Sequence, residues 1–253
     1  MSTPIVECRG LTVGYDKPVL EGIDLTIEAG EIVTLLGGSG CSKSTLLRCL
    51  IGLLPPLGGE VRVFGESLYE LSLEKRHQLL RRTGTAFQQD ALFGSMSVGD
   101  NVALPLHELT RLPDAVIDEM VELRLGLVGL TGLEHRPPAS LSGGQRKRAA
   151  LARASILDPD VMFCDEPSAG LDPAIAAAID ATLLQFRAAL GITIVIVTHE
   201  IASIEAIADR AVMFARGGIV AEGTIKQLEQ DQREEVFNFF HRVAERPQSG
   251  MTR

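Results

Sequence analysis

The feature that most constrains this chain is a glycine-rich segment between an apolar run, Ile32–Leu36, and residues 44–54, which carry apolar side chains at helical spacing. A strand, a glycine-rich loop and a helix in this order are the usual context of a phosphate-binding loop, whose backbone N–H groups curl around phosphate oxygens. In such a loop Lys43 is expected to reach the β- and γ-phosphates, and the Ser44 hydroxyl to bind Mg²⁺. The residues predicted to hold the phosphates are Gly37, Gly38, Ser39, Gly40, Cys41, Ser42, Lys43, Ser44 and Thr45.

One position departs from the phosphate-loop pattern G-x-x-x-x-G-K-[ST]. Ser42 stands immediately before the lysine, where the pattern has glycine. A Cβ there is expected to crowd the loop or to force a different backbone conformation, because glycine reaches left-handed conformations at little cost and other residues do not. The alternative to a phosphate site is an ordinary glycine-rich turn between a strand and a helix.

Two adjacent acids follow a second apolar run. Residues 161–164 are apolar, and Asp165 and Glu166 come directly after them. Acids at the carboxyl end of a strand lie at the mouth of an α/β sheet, where ligands bind. Asp165 is therefore a candidate Mg²⁺ residue, and Glu166 is a candidate to polarise an attacking water. The alternative is a solvated strand end.

A second possible anion-binding turn opens the Ala- and Arg-rich stretch at residues 142–157. Ser142, Gly143, Gly144 and Gln145 place a serine and two glycines at a helix start, where backbone N–H groups attract anions. The alternative is a simple helix cap. The chain thus offers two phosphate-binding turns but one lysine loop, about a hundred residues apart, and the second turn is predicted to serve a nucleotide held by another copy of the chain.

Strands and helices alternate over most of the chain, which predicts a parallel α/β sheet. An antiparallel region is expected in the first third, and a helical insertion without strands at about residues 97–157. The predicted strands cover residues 5–13, 23–27, 32–36, 61–64, 83–87, 161–164, 192–197, 212–214 and 219–221, and the predicted helices cover residues 44–54, 73–82, 97–104, 113–127, 142–157, 173–190 and 200–208.

Composition excludes several classes of protein. The net charge of −9 and the aromatic content of 4% argue against a dedicated nucleic-acid binder. A run of about 18 apolar residues is not found in the sequence, so the chain is not expected to span a membrane by itself. The N-terminus lacks the basic flank and apolar core of a secretory signal. The four cysteines form no C-x-x-C pair and are expected to be reduced thiols.

Together these motifs resemble those of the ATP-binding-cassette (ABC) ATPases over about residues 5–240, with residues 141–145 as the family's signature loop. The resemblance implies a P-loop NTPase (RecA-like) core with an antiparallel β subdomain and an inserted α-helical subdomain. It places the ABC ATPase domain at residues 4–243, the helical subdomain at about residues 90–158 and a flexible tail at residues 244–253.

The resemblance also implies roles for isolated polar residues. Gln88 matches the glutamine that senses Mg²⁺ and contacts the membrane partner, and His199 matches the switch histidine that contacts the γ-phosphate. Asp172 belongs to the loop that signals across the dimer, and Tyr15 to the position that stacks on adenine. Taken singly, each could be an ordinary polar or surface residue.

The roles implied by the family combine into one scheme. Two copies sandwich two MgATP molecules, and Ser142–Gln145 of one copy touch the nucleotide of the other. The implied catalytic residues are Glu166, His199 and Gln88, and the implied metal residues are Ser44, Gln88 and Asp165.

Residues 88–98, 100–106 and 146–154 resemble the ATPases of Mla-type, MCE-associated lipid transporters. That resemblance implies a homodimer at the cytoplasmic face of the inner membrane. It also implies an integral-membrane permease and a periplasmic MCE-type lipid-binding protein as partners, and it allows for a small regulatory subunit. Residues 236–243 form an amphipathic stripe, expected either to pack on its own domain or to dock on a neighbouring subunit.

Two other functions remain open on the sequence. The chain could energise the transport of another solute. It could also be a soluble nucleotide switch, such as a translation or repair ATPase, although those relatives usually carry two cassettes or long coiled-coil insertions, and this sequence has neither.

Overall fold

The structure is a computed structural model that describes residues 4–38 and 40–241. The predicted phosphate contact at Ser39 and the predicted tail at residues 244–253 lie outside the described residues. The described strands are, in chain order, β1 (Val6–Gly14), β2 (Pro18–Ile27), β3 (Ile32–Leu36), β4 (Gly58–Val63), β5 (Glu66–Ser67), β6 (Thr83–Ala86), β7 (Val161–Asp165), β8 (Thr193–Val197), β9 (Arg210–Ala215) and β10 (Gly218–Gly223). The described α-helices are α1 (Lys43–Leu50), α2 (Leu73–Leu80), α3 (Val98–Leu109), α4 (Asp114–Leu127), α5 (Gly143–Ser155), α6 (Pro173–Leu190), α7 (Ile201–Ile207), α8 (Ile225–Glu229) and α9 (Glu234–Phe240).

A six-stranded sheet forms the centre of the molecule, in the order β10-β9-β3-β8-β7-β6. Its strands are parallel, except that β10 runs antiparallel to β9 at one edge. Every residue of β3 and β8 is buried, as expected of parallel strands whose two faces are both covered. The predicted α/β class is confirmed.

A four-stranded sheet in the order β2-β1-β4-β5 packs beside the central one. Its strands are antiparallel, as predicted for the first third of the chain. Buried side chains on β1, among them Cys8 and Val13, join Leu46 and Leu50 of α1 in one hydrophobic cluster. Helix α1 is therefore held between the two sheets.

The chain between β6 and β7 is helical in the structure. Val102 and Leu106 of α3, Val121 of α4 and Leu151 of α5 are buried in one cluster. This agrees with a helical insertion in that part of the chain. The subdomain limits of about 90–158, like the domain limits of 4–243, remain predictions.

Two helices end elsewhere than predicted. Helix α1 ends at Leu50 and not at residue 54, because Gly52 adopts φ +81° and the N–H of Leu53 turns back to the carbonyl oxygen of Arg48 at 2.8 Å. Helix α3 continues to Leu109 through Pro105, where the sequence predicted an end at residue 104. Proline removes a helical hydrogen bond, but burial of the following Leu106 holds the next turn in place.

Several short elements of the structure are not predicted by the sequence patterns. They are β5, α8 and a 3₁₀ turn at Pro138–Ser140, and β2 begins at Pro18, five residues before its predicted start at residue 23. Part of the terminal amphipathic stripe forms α9, which packs on its own domain through the buried Val236. Residues 242 and 243 of that stripe lie outside the described chain.

Helix α6 qualifies the expectation that no apolar stretch is long enough to cross a membrane. By length and composition alone it could do so, and it is the one such helix among the described residues. Its Ile179, Leu183 and Phe186 are buried in the core, which is how the central helix of an α/β domain packs.

The four cysteines are free, as predicted.

Candidate nucleotide-binding site

Four parallel strands bring the predicted site residues to one edge of the central sheet. The glycine-rich loop follows β3, and Gln88 lies two residues after β6. Asp165 ends β7, and His199 lies two residues after β8. Because ligands of open α/β sheets bind outside the carboxyl ends of the strands, the topology collects these groups around one crevice.

The crevice is a cavity of about 530 Å³. The glycine-rich loop forms much of its wall, and Gly37 has φ +149° with so little space that a Cβ would lie 2.4 Å from the carbonyl oxygen of Phe214. Glycine is therefore required at position 37, because φ is positive and because there is no room for a Cβ. The cavity is lined by Gly37, Gly38, Gly40, Cys41, Ser42, Lys43, Ser44, Thr45, Gln88, Glu166, Val197, His199 and Phe239.

The Lys43 ammonium lies inside the curl of the loop. It donates hydrogen bonds to the carbonyl oxygens of Gly37 at 2.7 Å and Gly38 at 3.0 Å. Only 7% of the residue is exposed, and burial lowers the pKa of Lys43, while the nearby Cys41 and Glu166 act in the opposite direction. A desolvated cation held by two neutral carbonyls is suited to an anionic ligand such as a phosphate.

Ser42, where the sequence predicts crowding or a changed backbone conformation, adopts a left-handed conformation in the structure. Its φ is 59° and its ψ is 21°, and its side chain makes no capping hydrogen bond to α1. A residue with a Cβ in this region is strained by roughly 1–2 kcal/mol relative to glycine. The loop therefore bears this strain at Ser42.

We expect Ser42→Gly to raise the free energy of unfolding by roughly 1 kcal/mol, because the substitution removes this strain. We also expect the variant to bind ATP more tightly or to hydrolyse it faster, since a Cβ no longer crowds the loop. Urea unfolding and steady-state kinetics measure the two effects. Ser42→Ala, which keeps a Cβ, is the matched control and should show neither gain. Equal stability and kinetics in the glycine variant would mean that the loop tolerates the side chain.

Ser44 and Asp165 form the part of the site suited to a metal ion. The Ser44 hydroxyl donates a hydrogen bond to Oδ1 of Asp165 at 3.0 Å. Burial raises the pKa of Asp165, against the hydrogen bond from Ser44 and the positive charges of Arg48 and Lys43. Within residues 4–38 and 40–241, no cluster of three or more His, Cys, Asp or Glu side chains could hold a metal. One carboxylate and one hydroxyl still fit Mg²⁺, which commonly uses one or two protein oxygens, water and substrate phosphates.

Glu166 and His199 form a pair at the same cavity. Oε1 of Glu166 lies 2.8 Å from Nδ1 of His199. The backbone of Glu166 is left-handed, with φ 50°, and its N–H donates to the carbonyl oxygen of Val197 at 2.8 Å. Its Oε2 is buried and lacks a hydrogen-bond partner among the described residues. Since a buried carboxylate oxygen requires a donor, this atom has a hydrogen-bonding capacity that the described residues leave unused.

The family match agrees with this geometry. The ABC transporter family matches residues 20–169 of the chain. The chain belongs to the ABC transporter family. Among solved structures, the cassette resembles cbiO1 from Clostridium perfringens, part of the ABC transporter complex cbiONQ, with a TM-score of 0.83 and 31% identity over 90% of this chain and 91% of that one. It also resembles the ATP-binding cassette MJ0796, in a dimeric post-hydrolysis state bound to ADP and Pi, with a TM-score of 0.80 and 28% identity over 87% of this chain and 98% of that one.

Relatives by sequence include ATP-binding proteins named for phospholipid transport and for ribonucleotide transport. The intermembrane phospholipid transport system ATP-binding protein MlaF of Haemophilus influenzae is 37% identical over 98% of this cassette and 94% of its own length. MlaF of Escherichia coli K12 is 38% identical over 92% and 86%, respectively. The probable ribonucleotide transport ATP-binding protein mkl of Mycobacterium tuberculosis is 42% identical over 86% of this cassette, which spans 61% of that longer relative.

The predicted signature residues lie at the start of α5 and do not line the cavity beside the glycine-rich loop, which we call the phosphate cavity. The Ser142 hydroxyl accepts a hydrogen bond from the N–H of Gln145 at 3.3 Å, and the Gln145 side chain accepts one from the N–H of Ser142 at 2.9 Å. A Cβ on Gly144 would lie 2.3 Å from Cγ2 of Ile175, so α5 approaches α6 closely at this point. Gly143 is the first residue of α5.

Two other predicted nucleotide contacts of the cassette also lie away from the phosphate cavity. Asp172 caps α6, where Oδ1 accepts hydrogen bonds from the N–H groups of Ala174 and Ile175 at 3.1 Å. Tyr15 is 56% exposed, and its hydroxyl accepts a hydrogen bond from Nη1 of Arg48 at 2.5 Å. Stacking of the exposed Tyr15 ring on adenine therefore remains a prediction.

Two residues of the cavity wall were not predicted. Val197 ends β8, and Phe239 reaches the cavity from α9, which lies about forty residues further along the chain. No local pattern in the sequence links Phe239 to the phosphate loop. Only the packing of α9 on its own domain places the ring there.

Proposed function

We propose that the chain is the ATP-binding and ATP-hydrolysing subunit of an ABC transporter that moves phospholipid between membranes. The observation that carries the ATPase part is the convergence of Lys43, Glu166, His199 and Gln88 on one cavity, with Asp165 bonded to a member of its wall. The MlaF relatives, aligned over nearly their whole length, support phospholipid as the substrate.

In the proposed mechanism the glycine-rich loop holds the phosphates through its backbone N–H groups. Lys43 exchanges its contacts with the carbonyl oxygens of Gly37 and Gly38 for the β- and γ-phosphate oxygens. The ring of Tyr15 stacks on adenine. ATP thereby spans from an exposed aromatic ring to a buried ammonium ion.

The Ser44 hydroxyl, the Asp165 carboxylate and the Gln88 amide would hold Mg²⁺. When bound, that ion neutralises phosphate charge and fixes its orientation. Glu166 accepts a hydrogen bond from the attacking water through Oε2, the oxygen that lacks a hydrogen-bond partner among the described residues. His199, held at 2.8 Å by the other oxygen, orients Glu166 and contacts the γ-phosphate.

A second copy completes each site in this proposal. Ser142, Gly143, Gly144 and Gln145 lie away from the chain's own cavity, and a capped helix start with glycines favours an anion. The dimeric state of the similar cassette MJ0796 supports this arrangement. ATP favours the closed dimer only through contacts that it makes better there than in the open one, so cleavage of the γ-phosphate reopens it, and Asp172 signals between copies.

The membrane partner is proposed to dock in an apolar groove between the central sheet and the helical region. The groove has a volume of about 440 Å³. Phe93 is 52% exposed there and Phe87 is 38% exposed, next to Leu104 and Leu109. Because Phe87 adjoins Gln88, movement at the nucleotide reaches the groove across a single peptide bond.

The proposed assembly contains an integral-membrane permease and a periplasmic MCE-type lipid-binding protein, with a small regulatory subunit as an optional member. The chain is placed peripherally on the cytoplasmic face of the membrane, and nucleic acid is not a proposed partner. A second candidate function is transport of another solute, which the mycobacterial relatives named for ribonucleotide transport favour.

Purification of the intact complex tests the substrate. We expect an integral-membrane protein to copurify and phospholipid to be detected by mass spectrometry. Phe93→Glu should lose most of the membrane protein, because it places a charge in the apolar groove. Leu123→Glu, at a site 75% exposed and outside the groove, is the matched control and should retain it. A permease that carries a polar solute would support the second candidate, and copurified ribosomes or DNA would contradict both.

A further inference from the structure

Lys147, in the second turn of α5, contacts the turn that carries Gln88. Its ammonium donates a hydrogen bond to the backbone carbonyl oxygen of Gln88 and lies 3.5 Å from Oδ1 of Asp90. Only 8% of Lys147 is exposed. Oδ1 of Asp90 is also buried and makes no hydrogen bond with any residue that the structure describes. Because an unpaired buried charge is costly, the ammonium and this carboxylate stabilise each other.

Two further cations of α5 hold the same turn. Nε of Arg146 lies 3.3 Å from Oδ2 of Asp90, and Nη1 of Arg153 donates to the carbonyl oxygen of Ala91 at 2.8 Å. Ala91 has a left-handed backbone with φ 51°, which a residue with a Cβ adopts only when its surroundings hold it there. The path of the chain from Gln88 to Ala91 is thus set by side chains of α5.

Lys147 is distinct among these three cations because it binds the carbonyl of Gln88 itself. The Gln88 side chain is exposed and lines the phosphate cavity, so its amide lies where the backbone places it. Loss of a group that hydrogen-bonds to a metal ligand and orients it commonly lowers metal affinity about 10–100-fold. Lys147 has the position of such a group, since it is absent from the cavity wall.

We propose that Lys147 is a positioning residue that fixes Gln88 for Mg²⁺ binding without touching the nucleotide. This inference rests on the proposed function, which assigns Gln88 to the metal. It also has a consequence for the dimer. Helix α5 begins with the residues proposed to contact the partner's nucleotide, so its first two turns connect the two ATP sites.

The test measures binding of a non-hydrolysable ATP analogue to the full chain, with MgCl₂ and with EDTA. In Lys147→Met we expect the gain in affinity that Mg²⁺ provides to fall about tenfold, while the affinity in EDTA is unchanged. Lys147→Arg, which keeps a cation, should recover most of the gain. Lys226→Met, at an exposed lysine of α8, is the matched control and should behave as the wild type.

A second readout needs no nucleotide. Amide hydrogen exchange over residues 87–93 should be faster in Lys147→Met than in the wild type, and near the wild-type rate in Lys147→Arg. If Lys147→Met does not fold, Asp90→Asn removes the counter-charge of the same lysine and should lower the Mg²⁺ gain in the same direction.

An unchanged Mg²⁺ gain in these variants would overturn the inference. Equal losses of affinity in MgCl₂ and in EDTA would also overturn it, because they would indicate general damage to the phosphate loop. A wild-type chain that binds no nucleotide under either condition would contradict the proposed function itself, and is therefore distinguishable from failure of the inference alone.

Discussion

Glu166→Gln is expected to bind ATP and to hydrolyse it about a thousandfold more slowly than the wild type, because the removal of a general base commonly costs 10²–10⁴-fold in rate. Glutamine keeps the shape of the side chain and can still contact His199, which lies 2.8 Å from Oε1 in the wild type. It places an amide where Oε2, which is buried and has no partner within the described part of the chain, would accept a hydrogen bond from water. Binding and the chemical step are therefore separated in one variant.

The measurement combines ATPase rates with the oligomeric state in MgATP. We expect the variant to accumulate as a closed dimer, since the γ-phosphate that joins the two copies persists. Glu205→Gln, at an exposed glutamate of α7, is the matched control and should keep wild-type turnover. Normal turnover in Glu166→Gln would show that another group polarises the water.

Most of the phosphate cavity could be predicted from the sequence because the glycine-rich loop, Glu166 and His199 each follow a short, strongly apolar strand. Gln88 follows the less apolar β6. Ile32–Leu36 and Thr193–Val197 are buried throughout, and such runs predict parallel strands. Once those strands are parallel, their carboxyl ends must share one edge, which brings Ser44 and Asp165 together across more than a hundred residues.

What the sequence did not reveal depends on tertiary packing. Helix α3 passes Pro105 because Leu106 is buried beyond it, although local propensity predicts an end. Phe239 reaches the cavity only because α9 packs against the core. Lys147 belongs to a helix whose charge pattern is equally typical of a solvated surface, and its burial becomes apparent only when Asp90 lies beside it.

The signature turn illustrates a different limit. Ser142 caps α5 in the isolated chain, and a helix cap explains that hydrogen bond completely. Gly144 is likewise explained by the close approach of α6, where a Cβ would lie 2.3 Å from Cγ2 of Ile175. The proposed function of the turn lies between two copies, so the geometry of one copy is consistent with both interpretations. The two interpretations, a helix cap and a contact to the partner's nucleotide, differ in the closed dimer that Glu166→Gln is expected to accumulate.

Lys43→Met is expected to weaken ATP binding by roughly 30- to 150-fold. One charged hydrogen-bond donor to phosphate is worth about 2–3 kcal/mol, and each 1.4 kcal/mol corresponds to about tenfold in affinity. Methionine keeps an unbranched apolar side chain of similar length, so the packing of the lysine stem is retained. What the variant loses is the ammonium that lies between the carbonyl oxygens of Gly37 and Gly38.

The free energy of unfolding should change far less than the affinity for ATP. Burial lowers the pKa of Lys43, which means that the folded chain holds its charge at a cost when no phosphate is present. Removal of the charge relieves that cost, which offsets the loss of the two hydrogen bonds that Lys43 donates. The carbonyl oxygens that accepted them line the cavity and can bind water. Titration with a fluorescent ATP analogue and urea unfolding measure the two quantities, with Lys226→Met as the control. A variant that keeps wild-type affinity would mean that the triphosphate is not bound in this loop, because no phosphate could lie at the centre of the curl without losing this contact.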